Sequence, residues 1–505
     1  MKKLLTLSAS VCLSGILFAG GLVTNTNQSA SFTRMQCRDA TVGIDAVYYN
    51  PAGLTKLSDG FHLSLNNQTL GQTQTIISNY PLLNDQPVTY TGNVSAPLFP
   101  GVYLAYKTGK LAISAGFNPI GGGGGAEYKT GLPSFETSIA NIIPIMQSKL
   151  TPFNNGVKTA LGGTDPQFTN LSAYEANIYF KGSSIYFGYQ ANVSYAINDM
   201  ISVAIGARFV SAKNTYIGSI KDVTIAALPN QAPALGLAAL TGRFTPGNYA
   251  RALAATPYAI GSGAATVAAL NGLGAGLDAG TNIEADVEET GTGITPVISV
   301  NIAPNDKLNI AVKYEMQTKL ELTSKVNDGK NAGGMWTDGG KKTADMPAQL
   351  VVGVSYKPIE KLLVSTGIHY YFDKNVDYDG TSDSIVTPAG KVDNINMIDK
   401  NFIEYALGLQ YSLNDKIAVS AGWLTTMPGV NDAYQDDLSY SLNSNTFGGG
   451  LQYKLNDMIG INLGGSYTLY KDGSVTKTAA TTNLPYTMSL DKNVWIVSVG
   501  LDFSF

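Results

Sequence analysis

The chain has 505 residues, a formal net charge of −4 and only 14% charged residues, together with 55 Gly and 28 Tyr. Length alone suggests roughly three soluble domains, but so little charge does not suit a soluble multidomain protein, and the slightly acidic balance leaves no basic footprint for nucleic acid. After an N-terminal apolar run, no uninterrupted apolar stretch approaches the roughly 18 residues of a membrane helix.

Lys2 and Lys3 precede an apolar run from Leu4 to about Ala19 that ends in small residues, which is the build of a signal peptide. Cleavage is expected after Ala19, with Ala30 as the second choice, so residues 1–19 are assigned to the signal and the mature chain is exported. Cys12 does not suit lipidation, because Val11 is too large for the position before a lipidated cysteine. Only Cys37 then remains, which excludes an intramolecular disulfide and a CxxC redox or zinc site.

Residues 20–58 follow as a separate unit. The stretch DAVYYNPAGL, Asp45 to Leu54, reads as turn and short helix: Asn50 can cap, Pro51 can take the first helical position, where its missing N–H costs nothing, and Ala52 continues the turn. About forty residues are too few for a domain and too structured for a tail. Packed inside a barrel, they would plug it.

From residue 59 the pattern changes to β. A first strand is expected near Phe61 to Gly71, and then one phrase recurs: Tyr106–Phe117, Tyr195–Phe209, Asn301–Tyr314, Tyr356–Tyr370, Tyr411–Trp423 and Tyr453–Tyr467 each carry a strand end, a tight polar turn and a strand start. Ile459, Ile461, Leu463, Tyr467 and Leu469 alternate with Gly460, Asn462, Gly464, Ser466 and Thr468. In a bilayer the apolar face meets lipid and the polar face lines a lumen. Arg208, Lys313, Glu315, Lys319 and His369 fall on the lumen face, and Arg208 or Lys313 could meet a ligand carboxylate.

Two connections are too long for plain loops. In 119–183, Phe135, Ile139, Ile142, Ile143, Met146 and Leu150 recur at helical spacing, and 221–282 is rich in Ala, Leu and Gly. Together they are expected to form a partly helical apolar cap that offers a landing surface for an apolar ligand. The third strand, Leu111 to Phe117, runs into NPIGGGGG. Pro119 has no ladder donor and Gly121, Gly122 and Gly123 neither pack nor hold extended structure, so pairing should weaken at Asn118.

The last strand alternates Trp495, Val497, Val499, Leu501, Phe503 and Phe505 with Ile496, Ser498, Gly500, Asp502 and Ser504 and stops on the aromatic. A terminal Phe of this kind resembles the signal that outer-membrane barrels present to their assembly machinery. Six hairpins with one further strand at each end give about fourteen strands, an even number that puts both ends on the periplasmic side. The fold expected is all-β: a transmembrane antiparallel barrel over 59–505 with an N-terminal hatch in its lumen.

Asn50-Pro51-Ala52 between signal peptide and first strand, the fourteen-strand count and Phe505 together resemble the FadL-type long-chain fatty acid transporter family, which includes outer-membrane channels for toluene and other hydrophobic compounds. The resemblance spans the mature chain. It implies a monomeric channel in the outer membrane of a Gram-negative bacterium, with ligand capture on outer loops, transfer past the hatch and exit sideways into outer-membrane lipid through a kink at Asn118–Gly123. A fatty acid or another hydrophobic small molecule would be the partner; an aromatic hydrocarbon channel and a general diffusion porin are the alternatives. No cofactor, metal or enzymatic role is expected, since His62 and His369 stand without a catalytic motif and the acidic loop of Asp373, Asp377, Asp379 and Asp383 reads as solvated surface.

Overall fold

The computed structural model describes residues 24–376, 386–387, 390–391, 397–479 and 481–505. The signal peptide and Asp377, Asp379 and Asp383 lie outside these residues. Fourteen strands form the wall: β1 (Gly60–Ser78), β2 (Val88–Thr108), β3 (Leu111–Tyr128), β4 (Leu171–Ala196), β5 (Ile201–Ala227), β6 (Ile283–Asn305), β7 (Leu308–Glu315), β8 (Gln349–Ile359), β9 (Leu362–Tyr371), β10 (Ile403–Ser412), β11 (Ile417–Met427), β12 (Ser444–Lys454), β13 (Ile459–Tyr470) and β14 (Pro485–Ser504). Each pairs antiparallel with its neighbour, and β14 returns to β1, from His62 opposite Ser504 to Ser78 opposite Met488. Closure removes the sheet edge, the condition for burying backbone in lipid.

The recurring turns share one device. Asn198, Asn305, Asn414 and Asn456 each accept, through Oδ1, the backbone N–H groups two and three residues ahead, at 2.8–3.1 Å. An asparagine that closes its own turn satisfies donors the hairpin would otherwise expose. Pleat alternation then sends Val497 out at 59% exposure and Ser498 in at 4%.

Wall height is uneven. A barrel strand crosses a bilayer with roughly 9–11 residues, which is what β7–β13 provide with 8–12 each. Strands β4 and β5 have 26 and 27 residues and rise well beyond it. The connections across this tall side are shorter than expected because the strands run on: helices α3 (Pro133–Ala140) and α4 (Ile142–Ala160) occupy 129–170, and α5 (Pro246–Ala254), α6 (Pro257–Gly261) and α7 (Ala264–Thr281) occupy 228–282. The single helix expected over Phe135–Leu150 is two helices meeting at Asn141.

The segment before β1 lies in the lumen, carrying α1 (Ala30–Arg34), α2 (Ala46–Tyr49) and a 3-10 turn, Pro51–Lys56. Against one half of the wall it is seated on glycines: a Cβ at Gly353 would lie 2.5 Å from the Asp39 Cβ, one at Gly408 2.6 Å from the Met35 Cγ, and one at Gly464 2.8 Å from the Arg34 N. Cross-strand partners Gly353 and Gly367, Gly408 and Gly422, and Gly422 and Gly448 make this a stepped band of glycines, with Ala406 opposite Gly367 between the first pair and the rest. Backbone lies on backbone, an approach any side chain would block.

Two outcomes follow from this architecture. Phe505 exchanges both backbone hydrogen bonds with Phe61, at 2.8 and 3.1 Å, so Phe505→Asp or deletion of Phe505 should strongly lower the yield of heat-modifiable folded barrel, read on unboiled gels. Gly464→Val should leave insertion intact but dislodge α1, raising ion conductance in planar bilayers toward that of a variant lacking residues 20–58; a closed Gly464→Val channel would refute the seating.

Candidate functional site

The barrel half without the glycine row holds the hatch by side chains. Asn192 and Gln190 both donate to the Val47 carbonyl, Lys313 to that of Tyr48, Ser194 to that of Pro51 and Ser202 to that of Ala52, while Ser299 accepts the Ala52 N–H, all within 2.7–3.1 Å. Pro51 starts its helical turn as expected, but the Asn50 side chain does not cap it. Its Nδ2 instead donates to the Thr41 carbonyl at 2.9 Å and to Asn301 Oδ1 at 2.7 Å, so the motif's asparagine links hatch to wall. Within the hatch, Asp45 is buried, yet the Arg38 guanidinium, at 2.7 Å, and Thr41 hold its carboxyl below the usual carboxylate range. Burial pushes the Cys37 thiol well up, which leaves it unreactive.

Above the hatch the lumen charges are already paired. Arg208 grips Glu315 through both guanidinium nitrogens at 2.7 and 2.9 Å, Lys313 meets the same carboxylate at 2.7 Å, and both cations lie over the Tyr48 ring, at 4.8 and 4.6 Å from its centroid. The two residues expected to greet a ligand carboxylate are thus engaged by Glu315 and the hatch. Next to them His369 bridges Asp39 at 2.8 Å and Glu404 at 2.7 Å. Both ring nitrogens face carboxyl oxygens, so the ring is held between Asp39 of the hatch and Glu404 of the wall. Lys319, placed on the lumen face by alternation, is instead 77% exposed beyond the end of β7 and pairs with Asp345. His62 closes the barrel seam, bonding Ser504 Oγ and the Ser58 carbonyl.

Strand β3 does not end at Asn118. It continues to Tyr128 against β4, with register shifts at Pro119, Gly121 and Gly124, but loses β2: pairing stops at Phe117 opposite Val102 and resumes at Ala126 opposite Val94. Residues 95–101 and 118–125 therefore face each other across an unpaired seam. On the inner side, β3 is drawn toward the hatch: Asn25 N bonds the Ile120 carbonyl at 3.0 Å, Asn118 donates to Gln28 Oε1 at 2.6 Å and Ile120 is buried against hatch residues. Gly122 has φ +81°, a conformation that glycine, but few other residues, can supply. On the β2 lip Pro97 and Pro100 lack donors and Leu98 is 75% exposed. These prolines were a readable signal that pattern reading overlooked, because they sit inside an otherwise alternating strand.

In the cap, Ile139, Ile142, Met146 and Leu150 are buried in one apolar cluster with Tyr90, Tyr128, Phe168 and Tyr174, and Ile143 packs on its margin. They form the cap's own core. Phe135 lines an apolar cavity of about 30 Å³ shared with Phe180, Ile220, Ile283, Met335, Trp336 and Leu438. Those partners come from distant strands and loops, and no local spacing announces them. The walls are tied where Asp437 Oδ2 accepts the Ser134 N–H at 2.6 Å; burial and the adjacent Asp436 push that carboxyl well above its ordinary range. Among the described residues no cluster suited to a metal ion occurs.

Residues 10–505 match the family model described as outer membrane protein transport protein (OMPP1/FadL/TodX). Among solved structures, the chain resembles a Pseudomonas aeruginosa FadL homologue, at 12% identity and TM-score 0.61 over 96% of this chain and 100% of that one. It also resembles the Pseudomonas putida toluene transporter TodX, at 14% identity and TM-score 0.53 over the same shares. A search of curated proteins found no match. At such identities the structural likeness establishes the fold, while the family rests on a model that spans almost the whole chain. The protein belongs to the OMPP1/FadL/TodX family of outer-membrane transport proteins, non-enzymatic β-barrel channels for hydrophobic compounds in Gram-negative bacteria.

Proposed function

We propose that this channel takes up uncharged hydrophobic compounds, monoaromatic hydrocarbons among them, which meet the apolar cap near Phe135 and Trp336, pass into the lumen above the hatch and leave sideways through the seam at Asn118–Gly125. The observation that carries the choice of an uncharged ligand is the closed Arg208–Glu315–Lys313 cluster. A carboxylate arriving there would have to displace Glu315 from a bidentate pair. Straight passage is opposed by the hatch itself: beneath the apolar contacts of Phe32, Val47, Tyr48 and Tyr49 with the wall lies a vestibule lined by Arg34, Arg38, Asp45, Asn66 and Asp502, unfavourable ground for a hydrocarbon. A sideways route is apolar. Phe117 stacks on Phe187 at 5.6 Å, Tyr189 lies 5.0 Å from Phe117 and Phe209 6.2 Å from Tyr189, so aromatic rings cover the lower lip of the seam on the lipid side.

A long-chain fatty acid is the second reading, favoured by Lys492, which stands over the Tyr470 ring at 5.1 Å with no ion pair among the described residues. The test is uptake of labelled toluene, oleate and a sugar into vesicles holding the purified protein. Toluene uptake should exceed oleate uptake, and sugar should be excluded; dominant oleate uptake that is lost in Lys492→Gln would establish the second reading, and free passage of sugar would point to a porin. Glu315→Gln leaves two buried cations uncompensated, an arrangement that costs about 3–5 kcal/mol, and should shift selectivity toward oleate.

Seam closure tests the route separately. Pro119→Thr combined with Gly121→Val, Gly122→Thr and Gly123→Val restores the donor at 119 and disfavours the positive φ at 122, so β3 should regain part of its pairing with β2 and narrow the seam. Toluene uptake should then fall strongly in a barrel that still assembles; unchanged uptake would refute lateral exit.

A further inference from the structure

A cavity of about 740 Å³ lies on the periplasmic side of the hatch, between its residues Ser29–Asp45 and the turns at Asp199, Asp306 and Lys307. It borders Arg34, one of the most deeply buried large side chains in the molecule, at 2% exposure. Arg34 meets only neutral groups: Nε donates to Asn462 Oδ1 at 3.0 Å, and Nη1 to Gln410 Oε1 at 2.7 Å and to Ser420 Oγ. Among the described residues no carboxylate lies within ion-pair distance of it. Arg38 differs, because Asp45 neutralises it directly. Asp502 also lines the cavity, but its two oxygens are taken by Ser64 Oγ at 2.6 Å and Asn462 Nδ2 at 2.7 Å, so it makes no direct bond to Arg34 and, like Asp45, acts on it only at longer range.

A buried guanidinium without a partner carboxylate is costly, and Arg34 retains a nitrogen, Nη2, from which no described residue accepts a bond. We propose that the vestibule is an anion-binding site in which a small free oxyanion from the periplasm, of phosphate or carboxylate type, completes the coordination of Arg34. Gln410, Gln452, Ser365 and Ser31 line the same space and supply neutral donors. Lys56, Lys307 and Lys357 stand at the mouth with Asp199 and Asp306, a margin of one positive charge that favours anions at the mouth. A lipid headgroup is a poorer source, since β10 to β13 pair continuously beside Arg34 and offer no seam to the bilayer. Bound there, the oxyanion would tie α1 to this wall from below and hold the hatch shut, independently of which hydrophobic compound passes above.

Calorimetric titration of inorganic phosphate into the detergent-solubilised full-length barrel tests the site, with acetate in a parallel titration. Saturable binding of either anion at one site per chain is expected, weakened about tenfold or more in Arg34→Gln, the loss that follows from removing a charge-assisted contact. Phosphate binding with no acetate binding would specify the tetrahedral ion; both binding would specify charge alone. Absence of saturable binding by either, or equal binding by Arg34→Gln, would overturn the proposal. Should that variant fail to fold, a selenate soak of the unaltered protein decides the matter: an anomalous peak beside the Arg34 guanidinium upholds the site, and its absence there refutes it.

Discussion

The hatch is a segment with little regular structure placed at membrane depth, and its backbone groups must find partners there. An unpaired amide or carbonyl away from water costs about 1–3 kcal/mol, and 24–58 contains dozens of them. The barrel answers in two ways. Strands β4–β7 extend amides, hydroxyls and an ammonium to hatch carbonyls, as Asn192, Ser194, Ser202 and Lys313 do, while β8–β14 place glycines under the hatch backbone, which lies on the wall there, and reach the hatch side chains Asp39 and Arg34 with His369, Gln410, Ser420 and Asn462. The polarity of the lumen face is therefore largely a complement to the plug. It is not the lining of an aqueous pore.

That complement explains the ionic clusters. Arg208, Lys313 and His369 are each shared between wall and hatch, through the Tyr48 ring and carbonyl or through Asp39. Burying such charges gives little net stability, but removing one partner is expensive, so the clusters act as registration points that oppose a misplaced hatch. Their internal balance also has a consequence for selectivity. Cations that already hold a carboxylate are less available to one arriving from the cap.

The seam belongs to the same design. A barrel cannot leave an open edge in lipid without cost, and here the edge is short and held from both sides: β2 keeps β1, β3 keeps β4, and the inward bend of β3 is tied to hatch residues Asn25 and Gln28. The plug that closes the axial route thereby shapes the lateral one. The tall wall β1–β6 carries both the seam and the cap, and the low wall β7–β13 carries most of the glycine row.

Periodicity and turn chemistry are local, and they were legible. The alternation after Asp457, the asparagine turns, the terminal Phe505 and the helical character of NPA each follow from neighbours a few residues apart, and together they determined a fourteen-strand barrel with a plug before its first strand. Strand lengths on the tall side were underestimated, because the outer parts of β3, β4 and β5 lose the lipid-facing alternation once they leave the bilayer. Partnerships across the lumen were not legible at all. That Arg208 meets Glu315 and Tyr48, that Asn50 reaches Asn301, that Phe135 faces Trp336, and that glycines scattered from Gly353 to Gly500 align into one seat depend on register around a closed barrel. Register sets which residues share a height, and only the closed sheet with the hatch packed inside it decided that.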